Sequence, residues 1–248
     1  MLLSSCRSKY GPINEYPEKR VCLAAFPIGR LRGTPERERK AMSFPIVGIG
    51  ASAGGLESFS ELIARIPADT GMAYVFVQHL DPSHGSLLVE ILSKRAGFPV
   101  EEAREGVKIL PDHLYVIAPN TTLTIGGDVL HLRSRDPAER PHHPVDTLFY
   151  SLAEQRGPNA IGIILSGNGS DGAKGIQAVK QAGGITFAQE ESSAVFFGMP
   201  VSVIKTGCVA FYFSPSGDCA GANMHQSSLK GSRRRLAGNL IGTGILQP

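Results

Sequence analysis

The sequence predicts an α/β fold: a doubly wound, mostly parallel sheet with helices on both faces and an antiparallel ribbon at one edge. Short, continuous apolar runs alternate along the chain with stretches whose apolar residues recur at helical spacing, and such runs are typical of strands buried on both faces. Several runs end in glycine-rich turns that lead into a helix. This alternation is the order that places strands side by side in parallel.

The first strand leads into a turn of small residues. The run Ile46-Val47-Gly48-Ile49-Gly50 is followed by Ala51-Ser52-Ala53-Gly54, and a helical pattern begins at Leu56. Residues 50–54 match G-x-S-x-G, in which small neighbours let the backbone turn sharply and expose a serine hydroxyl above a sheet. The hydroxyl would lie at a helix N-terminus, where developing negative charge is favoured. Ser52 is therefore a candidate nucleophile.

The same turn allows two other interpretations. Gly48, Gly50 and Ala53 also fit the dinucleotide-binding pattern G-x-G-x-x-G/A. That function favours an acidic residue at the end of the second strand, whereas here the run 73–78 leads to His79. A plain structural turn is the third possibility, because short glycine patterns are common.

The remaining elements follow in order. Residues 73–78 predict the second strand, 79–85 a loop, and 86–95 a helix with one apolar face. Residues 113–118, 122–125 and 129–132 predict the short strands of the antiparallel ribbon. Alternation then resumes with a helix at 145–156, a strand at 160–165, a glycine-rich loop at 166–172 and a helix that ends at Gly183. Strands at 185–189 and 209–213 flank a short helix at 201–205.

The two ends of the chain differ from its middle. Residues 1–43 lack periodicity, and we predict a disordered or non-native N-terminal extension, with Met42 as a possible natural start. Residues 217–248 predict an irregular basic tail, which leaves 44–216 as the folded domain. The ends carry formal charges of +5 and +3, so 44–216 carries about −5. This acidic balance argues against nucleic acid as a partner.

Composition narrows the class further. No apolar run approaches the roughly 20 residues of a membrane span, and the four cysteines have no metal-ligand spacing. We therefore expect a soluble, cytoplasmic protein without membrane insertion. His142-His143 has no partner ligands at helical or turn spacing, so we expect a solvated loop there and no metal site.

Three polar residues follow predicted strands of the parallel sheet: Ser52, His79 and Asp171. Ligands of such sheets collect outside the carboxyl ends of the strands. A serine becomes nucleophilic when an imidazole accepts its proton and a carboxylate orients that imidazole, so these residue types fit a catalytic triad. Taken singly, each has a plainer interpretation: a turn serine, a loop histidine, and an aspartate that caps the helix it precedes.

Phe44 to Pro215 resembles the catalytic domain of the CheB-type chemotaxis protein-glutamate methylesterases, and is particularly similar to the form fused to a CheR-type methyltransferase. The matching runs are Ile46-Val47-Gly48-Ile49-Gly50-Ala51-Ser52-Ala53-Gly54-Gly55, Val77-Gln78-His79-Leu80, Tyr115-Val116-Ile117-Ala118-Pro119-Asn120, Pro144-Val145-Asp146 and Leu165-Ser166-Gly167-Asn168-Gly169-Ser170-Asp171-Gly172-Ala173.

The resemblance implies Ser52 as nucleophile, His79 as base and Asp171 as orienting carboxylate. It implies hydrolysis of γ-glutamyl methyl esters on chemoreceptor helices, and often deamidation of receptor glutamines, without metal or organic cofactor. Backbone support for the oxyanion would come from Ala53, Asn168 and Gly169. Many members carry a hydroxyl residue in place of Ala53 and a methionine in place of Asn168.

Two other functions stay open at this point. One is a catalytically silent domain that binds receptor helices or a CheR-type methyltransferase, and the other is a dinucleotide-binding domain.

Overall fold

A computed structural model describes residues 44–78, 85–135 and 142–216. The strands are β1 (Ile46–Ala51), β2 (Ala73–Gln78), β3 (Val100–Glu102), β4 (His113–Val116), β5 (Thr121–Gly126), β6 (Val129–Ser134), β7 (Ala160–Ile164), β8 (Ile185–Gln189) and β9 (Phe211–Phe213). The main sheet has seven of these strands in the order β3-β4-β2-β1-β7-β8-β9, and every strand pair in it is parallel. Strands β5 and β6 form a separate antiparallel pair. The α-helices are α1 (Gly55–Ile63), α2 (Gly85–Ser93), α3 (Pro144–Arg156), α4 (Ala173–Gln181) and α5 (Gly198–Lys205).

The main sheet is covered on both faces, as the sequence predicts. One apolar cluster joins it to α1 and α2, and the other joins it to α3, α4, α5 and the β5–β6 pair. Because side chains alternate across a strand, neighbours in β1 serve different cores: Ile46 lies in the second cluster and Val47 in the first. None of the helices that the structure describes is long and apolar enough to cross a membrane.

Strand β1 lies at the centre of the sheet. The chain first adds strands on one side of β1, beginning with β2, and after α3 it adds strands on the other side, beginning with β7. Such a reversal opens a crevice outside the carboxyl ends of the two central strands, where ligands of open α/β sheets bind. Ser52 follows β1 and Ser166 lies just past β7, so both lie at this crevice.

The predicted edge ribbon is organised differently. His113–Val116 is a parallel strand beside β2, so its inclusion in the ribbon was wrong. Strands β5 and β6 do form an antiparallel hairpin, but they pack over α3 instead of extending the sheet. The edge beyond β4 is the short polar strand Val100–Glu102, which the sequence analysis missed. The predictions for residues 1–43, 79–84 and 217–248, including the Met42 start, lie outside the described residues.

Gly50 lets α3 approach β1 closely. A Cβ atom at this position would lie 2.2 Å from Val145 Cγ1 and 3.0 Å from Ile164 Cδ1. Close packing of α3 therefore explains why residue 50 is a glycine. The dinucleotide-binding pattern would instead explain this glycine by the close approach of a pyrophosphate.

We predict that Gly50→Ala lowers stability by about 1–3 kcal/mol, because the added methyl group overpacks the contact between α3 and β1. The matched control is Gly97→Ala, whose Cβ would have Ala68 Cβ as its nearest neighbour, at an ordinary 3.4 Å. Urea unfolding followed by circular dichroism measures both. Equal midpoints for the two variants would contradict this account of Gly50.

Candidate active site

The turn that carries Ser52 is fixed by its backbone. The Ser52 amide donates to the Ser166 carbonyl at 3.0 Å, and the Ser52 carbonyl accepts from the Gly55 amide at 2.9 Å and from Gln78 Nε2 at 3.2 Å. Gly54 caps α1 with φ of +69°, a left-handed conformation that glycine adopts without strain. The turn is therefore tied to the ends of both neighbouring strands, β7 and β2.

A buried pair of polar residues also holds the Ser52 turn in place. Ser166 and Gln189 are both 0% exposed, and Gln189 Oε1 accepts from the Ser166 amide at 2.8 Å. Ser166 Oγ donates to the Ala53 carbonyl at 2.9 Å and accepts from the Phe196 amide at 3.0 Å. This one hydroxyl connects the Ser52 turn to the loop between β8 and α5.

The loop after β7 lies against Ser52. A Cβ on Gly167 would lie 2.8 Å from Ser52 Cβ. The Gly167 amide is occupied by the Phe196 carbonyl, at 2.8 Å. By contrast, the amides of Ala53 and Asn168 donate to no other described residue. Within the described part of the chain, these two amides have no acceptor, and they belong to the two segments that meet at Ser52.

Asp171 is held by the N-terminus of α3. Its side chain is 4% exposed; Oδ2 accepts from the Val145 amide at 3.0 Å, and Oδ1 accepts from the amides of Asp146 at 2.9 Å and Gly172 at 2.8 Å. A carboxylate satisfies helix-end amides and the positive end of the helix dipole. The interpretation of Asp171 as the cap of the helix it precedes was therefore wrong, because it caps α3 and the N-cap of α4 is Gly172.

Asp146, in α3, makes the reciprocal contact with α4. This residue is 5% exposed and its Oδ1 accepts from the Gly175 amide, in the first turn of α4, at 2.7 Å. Burial raises the pKa of Asp146, the Gly175 hydrogen bond opposes the rise, and the charge of Asp171 adds to it. The two carboxylates thus cap each other's helices, and we call them the aspartate pair.

His143 lies beside this pair. Its Nδ1 is 3.7 Å from Asp171 Oδ1, and its ligand atoms and those of both aspartates all lie within 4.8 Å of one another. Sequence spacing gave no sign of this cluster, since Asp171 is distant along the chain. The pair is directed at backbone N–H groups, which are donors suited to an anion, and capping accounts for its geometry without a metal ion.

His79 lies outside the described residues. The structure describes its predecessor Gln78, whose side chain contacts the backbone of Ser52. Val145 links the two ends of the site. Its side chain packs against Gly50, just before the Ser52 turn, and its amide donates to Asp171. The triad assignment of His79 stays a prediction.

An exposed apolar surface borders the Ser52 turn. Val195, Phe196 and Phe197 are 68%, 39% and 53% exposed, and a Cβ on Gly54 would lie 3.1 Å from Val195 Cβ. We call these three residues the apolar rim. Contiguous exposed apolar groups of this kind mark interaction sites more often than isolated ones.

Sequence reasoning missed Ser166 and Gln189 as supports of the site. A signal was present, because each is a polar residue at the carboxyl end of a continuous apolar run. Their role depends on which strands lie next to each other in the sheet, and the local sequence pattern does not determine that strand order.

A parallel α/β domain that carries a serine on a fixed turn at its topological switch point fits the hydrolase class. Comparison with known proteins gives the family: residues 47–221 match the CheB methylesterase model, and the chain belongs to this family. It is 40% identical over 168 residues to a protein-glutamate methylesterase/protein-glutamine glutaminase of Photorhabdus laumondii, covering 66% of this chain and 48% of that protein.

Two further relatives agree. A protein of the same name from Escherichia coli K12 is 40% identical over 169 residues, with 66% of this chain and 48% of that protein covered. The crystal structure of the Thermotoga maritima CheB methylesterase catalytic domain is 30% identical, with a TM-score of 0.65 over 71% of this chain and 95% of that one. The chain spans about half the length of the curated relatives it matches.

We predict that Asp146→Asn gains stability relative to the wild type as pH rises from about 3 to neutrality. A carboxyl whose pKa is raised on folding contributes stability that is complete below its unfolded pKa and is lost as pH rises through the folded pKa. Asn keeps an acceptor for the Gly175 amide but does not titrate. Urea unfolding at a series of pH values measures the difference.

The matched control is Glu154→Gln, which removes an exposed charge from the same helix. A constant difference between Asp146→Asn and wild type across this pH range would contradict the burial cost assigned to Asp146.

Proposed function

We propose that residues 44–216 form a serine hydrolase domain that demethylates γ-glutamyl methyl esters of chemoreceptors and deamidates receptor glutamines. The observation that carries this proposal is the position of Ser52, on a turn at the topological switch point of the sheet that the buried Ser166–Gln189 pair holds in place. The relatives' activity as protein-glutamate methylesterase/protein-glutamine glutaminases supports the reaction and its substrate residue.

In the proposed reaction, Ser52 Oγ attacks the ester carbonyl carbon while His79 accepts the hydroxyl proton. The tetrahedral intermediate collapses, the bond to the methoxy oxygen breaks, and His79 returns the proton to methanol. Water then attacks the glutamyl ester on Ser52, with His79 again accepting a proton, and Ser52 leaves with that proton restored. Asp171 holds His79 in the required tautomer and stabilises its imidazolium.

Backbone amides would bind the oxyanion. The amides of Ala53 and Asn168 donate to no described residue and lie in the two segments that meet at Ser52, and Gly169 follows with φ of +85°. Donors aimed at a developing oxyanion are worth several kcal/mol, roughly 3–4 for one such donor. Because the proposed donors belong to the backbone, Asn in place of methionine at position 168 is compatible with activity.

The substrate would be a segment of another protein. The apolar rim lies beside Ser52 and would contact apolar side chains of a receptor helix around its methyl ester. A cytoplasmic location follows from such a substrate and is part of this proposal. Association with a CheR-type methyltransferase is also proposed, supported by the sequence resemblance to the fused form.

We predict that Ser52→Ala folds normally but loses at least about 10⁴-fold of its methanol release from a methylated receptor segment, because the nucleophile is removed. Ser93→Ala, an exposed serine on α2, is the matched control. Methanol is measured by gas chromatography, and folding by urea unfolding. Release by Ser52→Ala within tenfold of wild type would refute the assignment.

A catalytically silent relative would give another result. In that case the wild type would bind the receptor segment and release no methanol, and a fluorophosphonate probe would leave Ser52 unlabelled.

We predict that Phe197→Ser raises KM for the methylated receptor segment about tenfold and leaves turnover of a small ester such as p-nitrophenyl acetate unchanged. The lost contact area belongs to substrate binding and not to the reacting groups. The matched control is Leu110→Ser, a comparably exposed apolar residue (43%) outside the apolar rim. Equal KM values for both variants would show that the apolar rim does not bind the substrate.

A further inference from the structure

Ser166 holds the Ser52 turn at two points. Its backbone carbonyl accepts from the Ser52 amide at 3.0 Å, and its side-chain Oγ lies 2.9 Å from the Ala53 carbonyl oxygen. A Cβ atom on Gly54 would lie 2.9 Å from the same Oγ, so the hydroxyl lies directly against the turn. One residue therefore fixes both the peptide group before Ser52 and the peptide group after Ala53.

The proton of the Ser166 hydroxyl has two carbonyl oxygens within reach. A hydroxyl carries one proton and two acceptor lone pairs. The Phe196 amide donates to Oγ at 3.0 Å, while the carbonyl oxygens of Ala53 and Phe196 lie 2.9 Å and 3.2 Å from it. The Phe196 carbonyl already accepts from the Gly167 amide at 2.8 Å. The proton is therefore assigned to the Ala53 carbonyl, which is closer and has no other donor among the described residues.

These contacts determine the directions of two groups that the proposed reaction uses. The φ and ψ angles of Ser52 and Ala53 lie between the two held peptide groups, and they set where the Ser52 side chain and the Ala53 amide point. Catalysis depends steeply on such directions, since a misplacement of about 1 Å can cost roughly a hundredfold in rate. The Ser166 hydroxyl is thus placed to control reactivity without touching the substrate.

Ser166 is itself held from its other side. It is 0% exposed, and its amide donates to Gln189 Oε1 at 2.8 Å. Gln189 is also 0% exposed, and its Nε2 donates to the Ser193 carbonyl at 2.9 Å. Because buried groups with satisfied hydrogen bonds resist displacement, Ser166 provides a fixed reference for the Ser52 turn.

We propose that Ser166 is a positioning residue of the hydrolase: by holding the Ala53 carbonyl, its hydroxyl sets the direction in which Ser52 attacks and in which the Ala53 amide points. This inference rests on the proposed function, because it takes Ser52 as the nucleophile. Ser166 acts on the nucleophile and not on substrate binding. Its loss therefore slows every reaction of Ser52, whatever the size of the substrate.

The test compares two variants of the full chain, each without one buried hydroxyl. Ser166→Ala removes the side-chain contact with the Ser52 turn and keeps the backbone carbonyl. Thr186→Val is the matched control: Thr186 is 0% exposed, and its hydroxyl donates to the Cys208 carbonyl at 2.6 Å and accepts from the Ala210 amide at 3.0 Å. That hydroxyl joins β8 to the segment before β9 instead of to the Ser52 turn.

Both variants are expected to lose stability in urea unfolding, since each leaves backbone groups without a partner. A fluorophosphonate, from which Ser52 Oγ displaces fluoride, then measures the reactivity of the serine. The rate constant for labelling is expected to fall about tenfold to a hundredfold in Ser166→Ala and to stay at the wild-type value in Thr186→Val. The final extent of labelling stays complete in both, which separates slow attack from a loss of folded protein.

Steady-state kinetics give a second readout. In Ser166→Ala, kcat and kcat/KM are expected to fall together, for a methylated receptor segment and for p-nitrophenyl acetate, while KM stays within about twofold of wild type. Phe197→Ser is expected to give the opposite pattern, a higher KM for the receptor segment alone. Ser166→Thr keeps the hydroxyl donor and is expected to be labelled within about threefold of the wild-type rate.

The outcomes separate this inference from the proposed function. Labelling of Ser166→Ala as fast as that of Thr186→Val overturns the role of Ser166 alone, and so does a folded Ser166→Thr as slow as Ser166→Ala. Wild type that is labelled but releases no methanol refutes the receptor substrate, and the labelling rates then decide the role of Ser166. Wild type that is neither labelled nor active overturns both proposals.

A further variant keeps the test independent of folding in Ser166→Ala. Ser166→Cys has a similar side-chain volume, but a thiol is a weak donor. Its labelling is expected to be slower than that of wild type and of Ser166→Thr. A wild-type rate in folded Ser166→Cys would overturn the proposal.

Discussion

The mutual capping of α3 and α4 is the constraint on which the site depends. Asp171 lies just before α4 and accepts the free amides of α3, while Asp146 lies in α3 and accepts an amide of α4. Helix ends leave unsatisfied amides, and burying them without partners is costly. The exchange satisfies both ends and at the same time fixes a carboxylate beside the central strands. One set of hydrogen bonds therefore joins the packing of two helices to the placement of the Asp171 carboxylate.

The turn that carries Ser52 is supported by a second set of buried hydrogen bonds. Ser166 and Gln189 are polar residues within an apolar core, and each is hydrogen-bonded, as buried polar groups must be to avoid a desolvation penalty. Their bonds connect the ends of β7 and β8 to the turn after β1. A serine on such a turn is held in position before substrate arrives, which is the condition for efficient attack.

Local pattern predicted much of this protein, and long-range contacts account for the rest. The continuous apolar runs gave β1, β2, β7 and β8, and the G-x-S-x-G turn gave Ser52. The edge strand Val100–Glu102 is too short and too polar to leave a periodic signal. The parallel pairing of His113–Val116 depends on the strand beside it, and a hairpin next in sequence hid that pairing. The capping of α3 by Asp171 could not be predicted, because the nearer helix α4 offered an equally good partner by sequence.

The central claim is that Ser52 forms a covalent ester with the glutamyl group of the substrate. Acid quenching of the enzyme during reaction with a methylated receptor peptide, followed by proteolysis and peptide mass spectrometry, tests it most directly. The account predicts the acyl mass on the fragment that contains Ser52. An acyl group on another residue, or rapid methanol release without any acylated fragment, would contradict it.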